Sequence, residues 1–395
     1  MKKIIALALA LVMMLGLVAC GGNGNTETTA PAGESTPATD GAATDGTTTG
    51  GDTTADLSNV KVSVFWYDES DVYLGSVRDA LNKELDALGV TYDNQYATND
   101  QAKQLDQIRT AIAGGSNILV VNQVSSGAED TAQDILKAAG DIPVIFFNRA
   151  IGLDGKDVEV LNAATNAGFI GTDAPEAGHM QGQMIGEYLV DHFDEVDLNK
   201  DGKISYAMMK GEEANMEAVF RTQYAVEDAN AILTKAGKPE LVYFDASNPD
   251  KYQVDQAGAW SSQAAKDYMD TNMITYNEGS NNMIELVICN NDGMAEGVVT
   301  SLQSKGYNKE GGHMIPVFGV DATDNAKVLI SEGAMVGSIK QDAEGMASAI
   351  AQTVAGVGTG KTVVDTLSGL SDERFSLAED CAAKLYIAYA PYTGE

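Results

Sequence analysis

The chain is poor in the residues that build metal centres. It has three histidines, three cysteines and two tryptophans in 395 residues. His179, His192 and His313 stand far apart, with no cysteine at ligand spacing, so the pattern offers no zinc site. A G-x-S-x-G nucleophile turn is absent, and the many carboxylates have no obvious general-acid partner, which argues against a hydrolase. Positive charge is scarce too. Lys and Arg number 25 against 57 Asp and Glu, a formal charge of −32, which argues against nucleic acid or an anionic membrane surface as a partner. Beyond residue 20 the thiols are Cys289 and Cys381. Cys289 sits in "IELVICNN", a buried-strand pattern; a disulfide between the two stays open at this level.

The N-terminus points to export. Two lysines follow Met1, and an apolar run continues to Val18, too short to span a membrane comfortably. Residues 1–19 are therefore expected to be a signal peptide. The run ends in Leu17-Val18-Ala19-Cys20, which resembles a lipobox, the processing site of bacterial lipoproteins. That resemblance implies cleavage before Cys20 and a lipid on its sulfur, anchoring the chain to the outer face of the cell membrane. Residues 20–59 then form a linker of Gly, Thr, Ala, Ser, Pro, Asp and Glu. It cannot bury enough apolar surface to offset chain entropy and is expected to be disordered.

The body that follows is long enough for two domains. Short apolar runs alternate with amphipathic stretches: "VKVSVFWY", "NILVV", "IPVIFF", "ISYAMM", "ELVYF", "IELVIC" and "MIPVFGV" are separated by helical patterns such as 72–88, 101–113 and 216–233. Strand–helix–strand repetition predicts an α/β protein with parallel sheets covered by helices on both faces. Such sheets place ligands beyond the carboxyl ends of their strands. Asp68, Glu69, Asp71 and Tyr73 follow the first run, Asn148 and Arg149 the third, Asn215, Glu217 and Arg221 the fourth, and Asn290, Asn291 and Asp292 the sixth; Asp321 ends the last. Loops there are polar in any case, and Asp or Asn caps helices. As a set lacking His and Cys, these groups fit a neutral polyhydroxylated ligand, whose hydroxyls both donate and accept.

Two motifs need separate treatment. "DLNKDGKISYAM", Asp197 to Met208, opens like an EF-hand loop: Asp197, Asn199 and Asp201 at positions one, three and five, Gly202 at six, the Lys203 carbonyl at seven and Ser205 at nine. Position twelve should be a bidentate glutamate and is Met208. "AGVGTGKT", 355–362, matches a loose phosphate-binding loop. It ends a helical pattern instead of following a strand, so it reads as a helix stop and turn.

The segments "VIFFN", "GTD", "DLNKDGKI", "KGE", "ICNNDGMA" and "IPVFGVDA" together resemble the galactose/glucose-binding proteins of bacterial ABC importers, of the type I periplasmic-binding family. The resemblance covers about 60–392. It implies two lobes, each a parallel sheet flanked by helices, joined by a hinge of three strands. The expected lobes are 60–170 plus 342–377, and 171–341 plus 378–395 with the calcium loop. It implies that the missing calcium ligand is Glu285, on a distant strand, completing an oxygen cage of Asp197, Asn199, Asp201, Lys203, Ser205 and Glu285 around a structural Ca2+. It also implies the sugar site. Asp71, Asn148, Arg221, Asn291 and Asp321 match by motif, and Tyr73 and Trp260 stand where the family has stacking aromatics. Asn215, Glu217 and Gln341 replace the family's histidine, aspartate and asparagine. The implied function is capture of a monosaccharide by hinge closure, without catalysis, and delivery to an ABC permease and its ATPase. A pentose or modified hexose, or a sensor signalling to a membrane chemoreceptor, is the alternative.

Overall fold

The computed structural model describes residues 56–394. The signal segment, Cys20 and nearly all of the linker lie outside the described residues. The first lobe is built from β1 (Lys61–Trp66), α1 (Val72–Leu88), β2 (Thr91–Tyr96), α2 (Gln101–Ala113), β3 (Ile118–Val121), α3 (Glu129–Ala139), β4 (Val144–Phe147), α4 (Lys156–Ala163) and β5 (Ala167–Gly171). The chain then crosses to the second lobe. There α5 (Ala174–Val196), β6 (Ser205–Lys210), α6 (Met216–Lys235), β7 (Val242–Tyr243) and β8 (Gln253–Val254) come first. They are followed by α7 (Ser262–Thr275), β9 (Leu286–Cys289), α8 (Asp292–Ser304), β10 (Val317–Asp321), α9 (Asp324–Ser331) and β11 (Gly337–Gln341). It returns to the first lobe for α10 (Ala343–Gly358), α11 (Val363–Gly369), β12 (Phe375–Ala378) and β13 (Cys381–Ile387), and crosses once more into β14 (Tyr389–Tyr392).

The first sheet has the order β12-β13-β5-β4-β3-β1-β2, the second β14-β11-β10-β9-β6-β7, with β8 pairing β6. Pairing is antiparallel only for β12 with β13 and β11 with β14 among the described strands. The central parallel strands, such as β1, β3, β4 and β9, are buried on both faces, which is why they read as unbroken apolar runs. Successive side chains feed opposite faces. Val62, Val64 and Trp66 pack in one core of the first lobe and Phe65 in the other. Both lobes reverse strand order at one point, between β1 and β3 and between β6 and β9.

The last crossing departs from the expected boundary. The resemblance predicts that the chain leaves the first lobe before Ala378. Instead β13 runs parallel to β5, with Leu385 opposite Ile170, and β12 folds back along it. Residues 378–387 thus belong to the first sheet, and the crossing falls at Ala388. The two body cysteines are both buried and free, on different sheets. The glycines of "AGVGTGKT" lie at the end of α10 and in the turn after it, so no strand precedes them.

Helix boundaries follow local chemistry. The Asp71 side chain accepts a hydrogen bond from the Leu74 N–H and starts α1, and Gly89, at φ 69°, ends it. Tyr73, Leu74, Val77, Leu81 and Leu85 form its buried stripe. In the second lobe α5 packs on α6 through Gly178, Gly182 and Gly186. A Cβ at Gly182 would run into the Tyr224 carbonyl and the Asp228 side chain. Gly182→Val should force these helices apart at a cost of about 1–3 kcal/mol. The expected result is a melting temperature several degrees lower; an unchanged melt would mean that the contact is not tight.

Candidate functional site

The carboxyl ends of both sheets face each other across the cleft. There they form a narrow cavity, and every sugar-site residue expected from the sequence lines it. From the first lobe come Asp71 and Tyr73, after β1, and Asn148, after β4. From the second come Asn215, Glu217 and Arg221 after β6, Trp260 before α7, Asn291 after β9, and Asp321 and Gln341 at the ends of β10 and β11. These are the strand ends where doubly wound sheets hold ligands. One wall residue, Arg149, stands in the polar strand-end set but not among the residues that the resemblance assigns to the sugar. Its adjacency to Asn148 at the strand end was the available signal.

The first-lobe wall is held by shared hydrogen bonds. Asp71 accepts from Leu74 N–H (2.9 Å) through one oxygen and from the Tyr67 hydroxyl (2.8 Å) through the other. Burial raises its carboxyl above the ordinary value, against the pull of these bonds. Asn148 takes φ 60° and accepts from the Asn122 amide (3.2 Å). Arg149 lies over the Tyr67 ring, 4.1 Å from its centroid. It also donates to the Val124 carbonyl (2.9 Å) and across the cleft to Glu212 of the second lobe (2.7 Å). A second bond across the cleft runs from the Asn99 amide to the Ala257 carbonyl (2.9 Å). The lobes are therefore closed on each other.

In the second-lobe wall, Asn215 caps α6 by accepting from the Glu217 and Ala218 N–H groups, and Asn291 caps α8 by accepting from Met294. Arg221 is buried. Through Nη1 it donates to the Asn290 carbonyl (2.9 Å), and the two hydrogens of Nη2 are shared among the Gln341 amide oxygen (2.9 Å), the Tyr389 hydroxyl (3.0 Å) and Glu217 (3.3 Å). The Glu217–Arg221 pair is thus both an i,i+4 helix ion pair and part of the cavity wall. Trp260 takes φ 55°, and its indole lies against Gly211, where any Cβ would collide with the ring. Asp321 takes φ 119° and Ala322 φ 51°. Left-handed backbone at Asn148, Trp260, Asp321 and Ala322 concentrates strain around one cavity.

The cavity offers a distinct chemistry. Arg149 Nε, Arg221 Nε and Gln341 Nε2 are buried donors with no hydrogen-bond partner, and all three residues line it. Asp71 and Asp321 stand among them, and the Tyr73 and Trp260 rings close it from opposite lobes. Unpaired donors, carboxylates and aromatic faces together suit a ligand with a polar rim and apolar C–H faces.

The EF-hand-like loop joins α5 to β6. Asp197 accepts from the Asp201 and Gly202 N–H groups, Asn199 from Asp201 and Asp201 from Lys203. Gly202 takes φ 80°, which glycine adopts freely. Glu285, just before β9, reaches the loop. Its two oxygens accept from Asn199 N–H (3.1 Å) and Ser205 N–H (3.2 Å). Burial first, and then Asp197 and Asp201, raise its carboxyl above the ordinary value. The Ser205 hydroxyl is buried without a partner. Met208 is fully buried in the core. Among the described residues, no three His, Cys, Asp or Glu side chains are grouped to hold a metal by themselves. Any cation here would depend also on Asn199, the Lys203 carbonyl and Ser205.

Two α/β lobes closing on an interlobe cavity through three chain crossings define a ligand-capturing binding protein. The chain belongs to the periplasmic binding protein family: residues 62–362 match the family described as "Periplasmic binding protein domain". It is 31% identical over 313 residues to the D-galactose/methyl-galactoside binding periplasmic protein MglB of Haemophilus influenzae, covering 78% of this chain and 84% of that one. It is 26% identical over 301 residues to a putative rhizopine-binding protein of Rhizobium meliloti, covering 76% and 79%. Among solved structures, an ABC transporter solute-binding protein from Clostridium phytofermentans with bound β-D-glucose shares the fold. Its TM-score is 0.61 at 20% identity, over 85% of this chain and 94% of that one. One from Bacillus halodurans with bound myo-inositol has a TM-score of 0.61 at 21% identity, over 86% and 96%.

Asp321 gives a pH prediction. Burial holds its carboxyl well above the ordinary range; Arg221 opposes this, and Asp292, Asp71 and Glu217 add to it. The unfolded carboxyl titrates near about 3.9. The folded protein thus keeps a proton that the unfolded chain releases, and stability falls as pH rises from about 4 through the folded value. Asp321→Asn should remove this fall. Ligand-free melts of wild type and variant should diverge from pH 4 to neutrality, with the variant more stable; parallel curves would contradict the buried, protonated carboxyl.

Proposed function

We propose that this exported protein captures a monosaccharide of the galactose/glucose type by hinge closure and presents it to an ABC permease and its ATPase. The observation that carries the reading is the set of partnerless buried donors on Arg149, Arg221 and Gln341, enclosed with two carboxylates and two aromatic rings in one cavity. Sugar hydroxyls accept hydrogen bonds from those donors and donate hydrogen bonds to the carboxyl oxygens, while ring C–H faces pack on Tyr73 and Trp260. Both lobes contribute to the wall, so a ligand touching both favours the closed form. Closure excludes water and creates a surface spanning both lobes for the permease. The relatives whose names record galactoside and glucose binding support the class of ligand. No reaction is assigned, and the sugar leaves unchanged. Lipid on Cys20 would tether the body near that permease; a membrane chemoreceptor is the alternative recipient of the same closed form.

The test is a thermal-shift panel of common monosaccharides with calcium present. Ligand at a hundred times its dissociation constant adds about 2.7 kcal/mol. A shift of several degrees with galactose or glucose is expected, and it should vanish in Trp260→Ala. A shift only with a pentose or modified hexose moves the specificity, with Asn215, Glu217 and Gln341 as its determinants. No shift with any sugar rejects the reading.

We also infer that the Asp197–Ser205 loop with Glu285 holds a structural Ca2+. What supports this is the chemistry of the residues: three carboxylates, an amide, a carbonyl and an unpaired serine hydroxyl would supply only oxygen to a hard cation. Lys203, inside the loop, stands 3.4 Å from Asp201. Chelation should lower the melting temperature, and added calcium should restore it. Glu285→Ala should abolish that response; a wild-type melt indifferent to chelator removes the ion from the account.

A further inference from the structure

Each of the three crossings carries one polar side chain to the same place. Thr172 follows β5, Gln341 ends β11, and Tyr389 opens β14, directly opposite Gln341. The Arg221 guanidinium donates to Tyr389 (3.0 Å) and Gln341 (2.9 Å). The Tyr389 hydroxyl donates to Thr172 (2.9 Å), and the Thr172 hydroxyl donates to Glu217 (3.0 Å). Glu217 also accepts from Arg221 (3.3 Å). The ring closes with consistent polarity: each hydroxyl accepts one bond and donates one. Arg221, Glu217 and Gln341 line the ligand cavity, whereas Thr172 and Tyr389 do not.

We propose that Thr172 and Tyr389 are positioning residues that couple the hinge to the ligand site: they hold Arg221 and Glu217 in their binding geometry only when the crossings have their closed torsions. Hinge motion consists of torsion changes in a few crossing residues. Moving Thr172 relative to Tyr389 opens the ring: the Tyr389 hydroxyl and the Glu217 carboxylate each lose a partner, so two of the acceptors that hold the buried guanidinium are no longer fixed. Closure and ligand affinity then become one equilibrium. The coupling rests on the sugar reading of the cavity; the ring itself does not.

The experiment uses the full chain with calcium and one spin label on each lobe. Sugar affinity for D-galactose and D-glucose and the interlobe distance distribution are measured for wild type, Tyr389→Phe, Thr172→Val and Thr172→Ser. Loss of a hydrogen bond to a charged network should weaken binding about tenfold or more in Tyr389→Phe and Thr172→Val. It should also shift the ligand-free distances towards the open form, with saturated distances unchanged. Thr172→Ser keeps the hydroxyl and should behave as wild type. If Tyr389→Phe does not fold, the Thr172 pair decides. Unchanged affinity, or weaker affinity with unchanged ligand-free distances, overturns the proposal, because a role confined to local packing leaves the distances where they were. If wild type binds neither sugar, the galactose/glucose reading fails. The hinge proposal is then decided by the ligand-free distances alone: a shift supports it, and none overturns it.

Discussion

A full positive charge held out of water governs the centre of this molecule. Arg221 is 2% exposed. Burial works against its charge, yet the Tyr389 hydroxyl and Glu217 oppose this and the guanidinium stays protonated. An isolated buried charge is costly, and only a dense set of acceptors makes it tolerable. Those acceptors come from a strand end, a helix turn and two chain crossings. The second lobe must therefore close its sheet edge, through β14 on β11, to complete the shell around one side chain. One nitrogen is still left without a partner, and it belongs to a cavity residue.

The same residues serve structure and site together. Asp71, Asn215 and Asn291 cap α1, α6 and α8, and each also forms cavity wall. Capping fixes the rotamer through the helix N–H groups and so fixes what the rest of the side chain presents to the cavity. The reading of these residues as ordinary caps and the reading of them as ligand contacts are one arrangement. Helix N-termini aimed at the cavity also favour oxygen atoms there.

Much of this was legible in the sequence, for reasons that differ by element. Strands buried on both faces, such as β1, β4 and β9, appear as continuous apolar runs. β2 does not: "TYDNQY" is a polar edge strand, exposed or half-buried along its length. β11, "GSIKQ", ends in a side chain turned to Arg221 and gives no apolar run either. The short helices α4, α9 and α11 have too few turns for a periodic stripe. The last crossing was misplaced because β12 and β13 form an antiparallel pair, and no crossover helix separates the strand that stays from the strand that leaves. Arg149 is in the strand-end set but not in the family-matched site, because its role depends on Tyr67, distant in sequence, and on Glu212, which meets it only across the closed cleft.

Closure itself sets what the sequence can and cannot specify. The first lobe alone presents Asp71, Tyr73, Asn148 and Arg149; the second alone presents the remainder of the wall. Neither half surrounds a ligand. The closed form brings carboxylates together and leaves donors unpaired, so without ligand it carries a penalty that the open form, exposed to water, does not. Against this stand the Arg149–Glu212 ion pair and the Asn99–Ala257 bond across the cleft. The Arg149 side chain is only 3% exposed in that pair, so solvent screens it less than a surface bridge. A ligand shifts such an equilibrium only by its difference in affinity for the two forms. On the sugar-binding proposal, that difference comes from pairing the donors that closure alone leaves unsatisfied.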